Sequence, residues 1–176
     1  MRISPSPIFD DEQFMLRPVE LSDVDVWYGY LSLPHAIEHT SWTLASADDL
    51  CALIASYHAD VPGSPIQFAI IEKATKAFVG TIGFHTISDI NRTAEIAYNL
   101  HPRFWGRGIA TSCCQSLVRW GLTDGGFVRI QATALDTNIA SARVLQKCDF
   151  ELEGKLRRFR MVRGQPRDFW VYAKTN

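Results

Sequence analysis

A chain of 176 residues, 47% hydrophobic and 21% charged, fits one globular domain able to bury a core without disulfide or metal staples. Its formal net charge of -1 excludes a general polyanion binder, though not a local basic surface. The opening MRISPSPIFDDEQF has no apolar signal-like core, and no membrane-length apolar run follows; neither secretion nor a membrane span is expected, and the chain reads as cytoplasmic.

In chain order, residues 1–13 are a loose Pro/Ser/Asp-rich lead-in to a single domain spanning 1–176. FMLRPV (14–19) is a short strand. LSDVDVWYGYLS (21–32) reads as a helix capped by Ser22, with Val24, Trp27, Tyr28 and Leu31 on its apolar face. A short helix or turn at PHAIEHTSW precedes a helix over 46–60, which Ser46 caps and which presents Leu50, Leu53, Ile54 and Tyr57.

The period then changes. IQFAIIEK, AFVGTIGFHTI and RTAEIAYNL are strand-like runs separated by ATK and SDIN, which predicts an antiparallel meander. A helix over 109–126 carries Ile109, Cys113, Leu117 and Trp120 and stops at Gly125-Gly126. A strand (127–135), a helix (138–148) and a final hairpin turning near Gly164 complete a mixed α/β order. Cys51, Cys113, Cys114 and Cys148 show no CxxC spacing, and the adjacent pair would point about 100° apart on a helix. They read as reduced thiols rather than a disulfide or a metal site.

Between the meander and the long helix stands HPRFWGRGIATS (101–112). A dinucleotide fingerprint needs a third glycine where Thr111 stands, and a P-loop needs a Gly-Lys pair that is absent. Two readings stay open: a plain tight turn, or bare backbone N–H groups at the positive end of a helix, suited to a pyrophosphate and flanked by Arg103 and Arg107.

RFWGRG resembles the Arg/Gln-x-x-Gly-x-Gly/Ala signature of the GCN5-related N-acetyltransferases (GNAT). AEIAYNLHPRFWGRGIAT, ALDTNIASARVLQKCDFELEG and LRPVELSDVDVWY extend the likeness over nearly the whole chain, most closely to the RimJ/RimL subgroup. The resemblance implies an α/β (α+β) GNAT fold, a mixed, mostly antiparallel sheet of about seven strands flanked by about four helices. It implies acetyl-CoA as donor and an amine acceptor, either a peptide N-terminus or a small amine or antibiotic. The cofactor would be held by Asn99 and Leu100 through their backbone, by Arg103, Trp105, Gly106, Arg107, Gly108, Ile109, Ala110 and Thr111, and by Asn138 on the pantetheine arm. The family's fourth strand carries a bulge that splays it from the fifth.

The chemistry needs a neutral amine, a stabilised oxyanion and a proton for the leaving thiolate. Glu95 shares one face of its strand with Ala97 and Asn99; a carboxylate among such small neighbours would have a raised pKa and could serve as base through water, unless it is simply a solvated strand residue. His85 on the neighbouring strand is a second base or an acceptor contact. The family's usual acid, a tyrosine, falls at Leu145; Ser141 is what the RimL-like subgroup offers at the sulfur. Asn138 also suits a plain helix cap. Asp149 stands where relatives carry glycine. Tyr28 and Trp42 are candidate acceptor contacts, and no residue pattern suggests a metal.

RRFRMVRGQPR packs five arginines, from Arg157 to Arg167, around Phe159. Such a patch can solvate a sheet edge, recruit an acidic or ribosomal partner, or touch RNA. The near-neutral total makes nucleic acid the weakest of the three. A homodimer is possible, and the acceptor's identity is not encoded in any motif.

Overall fold

The computed structural model describes residues 7, 9, 11–41, 44–58 and 61–176. Seven strands, β1 (Phe14–Pro18), β2 (Ile66–Glu72), β3 (Phe78–Ser88), β4 (Thr93–Leu100), β5 (Arg129–Leu135), β6 (Glu151–Val162) and β7 (Gln165–Thr175), form one sheet in the order β1-β2-β3-β4-β5-β7-β6. Every neighbouring pair is antiparallel except β4–β5. The helices are α1 (Val24–Leu31), α2 (Pro34–Ile37), α3 (Asp48–Tyr57), α4 (Ile109–Leu122) and α5 (Ile139–Lys147). That makes five where about four were expected, because the segment left as a helix or turn forms the single turn of α2.

β2 reads as a continuous apolar run because helices cover both its faces. Phe68 and Ile70 join Ile109, Cys113, Leu117 and Leu145 beneath α4 and α5. Ala69 and Ile71 face Trp27, Tyr30, Leu50 and Ile54 of α1 and α3. The sheet therefore separates two apolar layers, and β4 lies at its centre. No helix among the described residues is long and apolar enough to cross a membrane.

Several local readings are corrected. Ser22 does not cap α1: Leu21–Asp23 form a 3-10 turn, and Asp23 does the holding, accepting from the Glu20 amide at 2.9 Å and from Arg17 at 2.8 and 2.6 Å. On α1 the buried tyrosine is Tyr30 rather than Tyr28. β5 starts at Arg129, since Phe127 turns inward and its amide donates to the Gly121 carbonyl (2.9 Å). In the hairpin, β7 pairs with β5 and leaves β6 at the edge. Asp149 takes the left-handed backbone its position demands, with φ 59°.

Candidate active site

β4 and β5 pair only at Thr93–Arg129, Ala94–Ile130 and Glu95–Gln131, although β4 runs on to Leu100 and β5 to Leu135. The strands therefore part just beyond Glu95 and leave a wedge. Its mouth is bounded by the glycine loop after β4 and by the first turn of α5 after β5. The β3–β4 register is regular along this stretch. The sheet irregularity lies in β3 between Phe84 and Thr86, opposite Glu95–Ile96; the bulge expected in β4 is in its partner.

Glu95 sits at the apex of the wedge, 8% exposed. Thr133 donates to its Oε1 at 2.7 Å and Arg160 Nη2 at 3.2 Å, while Gln131 donates to Oε2 at 3.2 Å. His85 Nε2 lies 3.3 Å from Oε1; the β3 bulge sends the histidine to this face while Phe84 stays in the core. Burial pushes the carboxyl pKa up, but hydrogen bonds from His85, Thr133 and Gln131, with the charge of a protonated His85, outweigh it and bring it down to about 2. This reverses the expected rise: the same-strand neighbours are small, and the groups that lower the pKa come from β3 and β5.

The other face of the wedge is tied by side chains that no motif marks. Tyr98 donates to the Ser141 carbonyl at 3.3 Å, bridging β4 and α5, and burial pushes its phenol up. Asn99 turns its side chain toward α1. Its Oδ1 accepts from Trp27 Nε1 at 3.2 Å and from the Tyr30 hydroxyl, and its Nδ2 donates to Thr81 Oγ1 at 2.8 Å. Only the backbone of Asn99 is left for a ligand. We expect Asn99→Leu to strand the Trp27 and Tyr30 donors and cost about 3 kcal/mol in urea unfolding. A loss of no more than ~0.5 kcal/mol, the size of an ordinary surface change, would contradict this role.

In the loop, Gly106 and Gly108 have φ of 74° and 77°, a backbone most side chains resist. A Cβ at either would meet nothing within 4 Å, so the glycines leave open a cradle that faces outward. The first backbone bond of α4 runs from the Ser112 amide to the Gly108 carbonyl at 3.0 Å. The amides of Ile109, Ala110 and Thr111 precede it and are free of helical partners. The glycine curve and these aligned donors fit a diphosphate. The Ile109 side chain is buried in the core, so it can meet a ligand only through its backbone.

The loop's side chains divide. Arg103 is exposed. Arg107 leans back over the rings of Phe14 and Phe104, with Nη2 3.6 Å from Glu72. Trp105 is about half exposed and donates its indole N–H to the Leu100 carbonyl at 2.8 Å. Across the wedge, Asn138 Oδ1 accepts from the Ser141 amide at 3.0 Å as a helix cap, and the Ser141 side chain stays partly exposed. Leu145 is buried and has no proton to give.

Of the acceptor candidates among the described residues, only His85 reaches Glu95. Tyr28 packs against the α1–α3 layer, and Trp42 lies outside the described residues. The hairpin arginines are largely engaged. Arg160 meets Glu95, Arg163 donates to the Ile37 carbonyl and to Thr40, and Arg167 lies 3.7 Å from Asp136. Among the described residues no His, Cys, Asp and Glu group could hold a metal ion.

Comparison with known proteins identifies the fold. Residues 13–151 match the acetyltransferase (GNAT) domain. The chain is 32% identical over 166 residues to the uncharacterised N-acetyltransferase p20 of Bacillus licheniformis, covering 92% of each. Its fold is similar to that of the microcin C7 self-immunity acetyltransferase MccE, solved with acetyl-CoA and AMP. The TM-score is 0.85 at 24% identity, over 99% of this chain and 98% of that one. A Salmonella typhimurium acetyltransferase that modifies the N-terminal serine of ribosomal protein L7/L12 gives a TM-score of 0.84 at 22% identity, over 94% and 96%.

Proposed function

Since the chain belongs to the GNAT family and is an acetyl-CoA-dependent N-acetyltransferase, we propose that its acceptor is the α-amine of a protein or peptide N-terminus. The observation that carries this reading is Glu95, whose buried carboxylate is met by Thr133, Gln131, Arg160 and His85 and is held well below the ordinary carboxylate range. A carboxylate so firmly ionised is a feeble base. It can orient an amine and relay its proton through water, but it cannot strip a strongly basic group. An α-amine, with pKa about 8, is partly neutral at physiological pH, whereas a lysine amine at about 10.4 is not. The Salmonella protein of the same fold, which acts on an N-terminal serine, agrees in kind.

When bound, acetyl-CoA supplies the acetyl group as an activated thioester. The amides of residues 106–111 would hold its diphosphate, and the backbone N–H groups around Asn99–Leu100, beyond the last β4–β5 pair, would donate to the developing oxyanion. Glu95 accepts a hydrogen bond from the amine and passes its proton to water. The Ser141 hydroxyl orients the sulfur and relays a proton from water to the thiolate that leaves as the C–S bond breaks, in place of the tyrosine whose position Leu145 occupies. All four cysteines are free thiols, which suits work in the cytoplasm.

The pH dependence tests the acceptor. For a peptide with a free N-terminus, kcat/KM rises with deprotonation of the α-amine and levels off above pH of about 8. A peptide with a blocked N-terminus and one lysine reacts at a small fraction of that rate. Equal rates on the two peptides would overturn the α-amine assignment.

A further inference from the structure

Two irregularities in the sheet converge on one oxygen. In β3 the bulge between Phe84 and Thr86 brings His85 to Glu95. In β6 the register jumps between Leu156 and Arg160. There Arg158 takes φ 52°, and its amide donates to Asp168 Oδ1 at 2.8 Å. The jump turns Arg160 from the sheet's edge strand back toward its centre. Its guanidinium lies over the rings of Phe159 and Phe169, with centroids at 4.8 and 5.6 Å, and touches Glu95 Oε1 at 3.2 Å.

The consequence is an uneven carboxylate beside a half-used guanidinium. Oε1 is met by Thr133, His85 and Arg160, whereas Oε2 has Gln131. Oε2 therefore keeps acceptor capacity for a further donor such as an amine. Arg160 carries five N–H donors, of which one is engaged by Glu95; its side chain is 32% exposed. The two ring contacts hold the fork in place, so little order is lost when it binds an anion. The nearby acids Asp136 and Asp168 are already paired with Lys155 at 3.2 and 3.0 Å. A polyamine would thus meet the charge of Arg160 beside two acids that are already paired.

The geometry points to an acceptor that carries a carboxylate close to its reacting amine, with Arg160 as the residue that reads the anion. The positive charge of Arg160 also disfavours the ammonium form of a bound amine, which helps where Glu95 is a weak base. This assignment rests on the α-amine reading above and narrows it to acidic acceptors. The carboxylate has two sources: an acidic side chain in the first residues of a peptide, or the α-carboxylate of a free amino acid.

The test is a set of matched acceptors assayed by acetyl-CoA turnover. Peptides beginning Ser-Glu, Ser-Gln and Ser-Lys form one arm, free serine and serinamide the other, and spermidine serves as a polycation. The wild type is expected to favour the acidic member of a pair by roughly tenfold or more in kcat/KM, and the arm that shows it identifies the source. Arg160→Gln removes the preference chiefly through KM, and Arg160→Lys restores part of it. Equal kcat/KM for acidic and neutral members, spermidine as the best acceptor, or a preference that survives Arg160→Gln, overturns the role of Arg160 while leaving acetyl transfer intact. Turnover of no α-amine at all would instead overturn the reading beneath it.

Discussion

Gly106→Val is expected to abolish useful acetyl-CoA binding while leaving the protein folded. A β-branched residue resists the left-handed backbone that Gly106 adopts at φ 74°, a strain of roughly 1–2 kcal/mol for an L-residue. The larger loss is at the ligand. The space before Gly106 is open, and an isopropyl group placed there stands where the diphosphate approaches the amides. Losing one or two charge-assisted hydrogen bonds, each worth about 1.5–3 kcal/mol, weakens binding by roughly a hundredfold or more. Because nothing among the described residues lies within 4 Å of a Cβ there, the thermal midpoint falls by only the few degrees that this backbone strain costs. Titration calorimetry with acetyl-CoA reads the effect directly. An unchanged Kd would mean that the loop is a turn and nothing more.

Glu95→Gln is expected to lower kcat by about a hundredfold, within the range for a lost proton-transfer group, with the Kd for acetyl-CoA unchanged. The amide keeps the size of the side chain and can still accept from Thr133, but it loses the charge that faces His85 and Arg160. A second readout follows from linkage. The Glu95 pKa in the folded chain is about 2, against an ordinary 4.5. A depressed carboxylate contributes stability that is fully present above its unfolded value and disappears as pH falls from about 4.5 toward 2. The variant lacks that contribution, so its stability deficit is largest near neutral pH and shrinks on acidification through this window. A kcat within twofold of wild type would remove Glu95 from the chemistry, and a pH-independent deficit would remove the ionised carboxylate from the stability account.

Much of this was legible in the chain because it depends on local rules. Only glycine takes φ near +75° at no cost, so the spacing of Gly106 and Gly108 marks a backbone requirement that the structure shows at both positions. Strict alternation in AEIAYNL places Glu95 opposite the core face, and three consecutive strand patterns are the antiparallel meander β2–β3–β4. What stayed hidden depends on contacts between distant residues. His85 comes from the neighbouring strand, and Thr133 and Gln131 reach Glu95 from 38 and 36 positions away, so its lowered pKa could not be foreseen from its small same-strand neighbours. Tyr98 and Tyr30 look like ordinary strand and helix residues; their hydroxyls find Ser141 and Asn99 only once β4 is at the centre of the sheet. The arginine-rich hairpin reads as charges that alternation splits between two faces, which does not say what each arginine meets. A register jump and ion pairs divide it, with Arg160 turned inward to Glu95 and Arg167 beside Asp136.

The central claim is acetyl transfer to an α-amine at the wedge between β4 and β5. It is tested most directly by incubating the enzyme with acetyl-CoA and a peptide that offers both a free N-terminus and an internal lysine. Released thiol is measured, and the acetylated atom is located by fragment mass spectrometry. The account predicts thiol release equal to product, with the acetyl group on the N-terminal nitrogen. Acetyl found on the lysine, or bound acetyl-CoA with no thiol released to any free N-terminus, would contradict it.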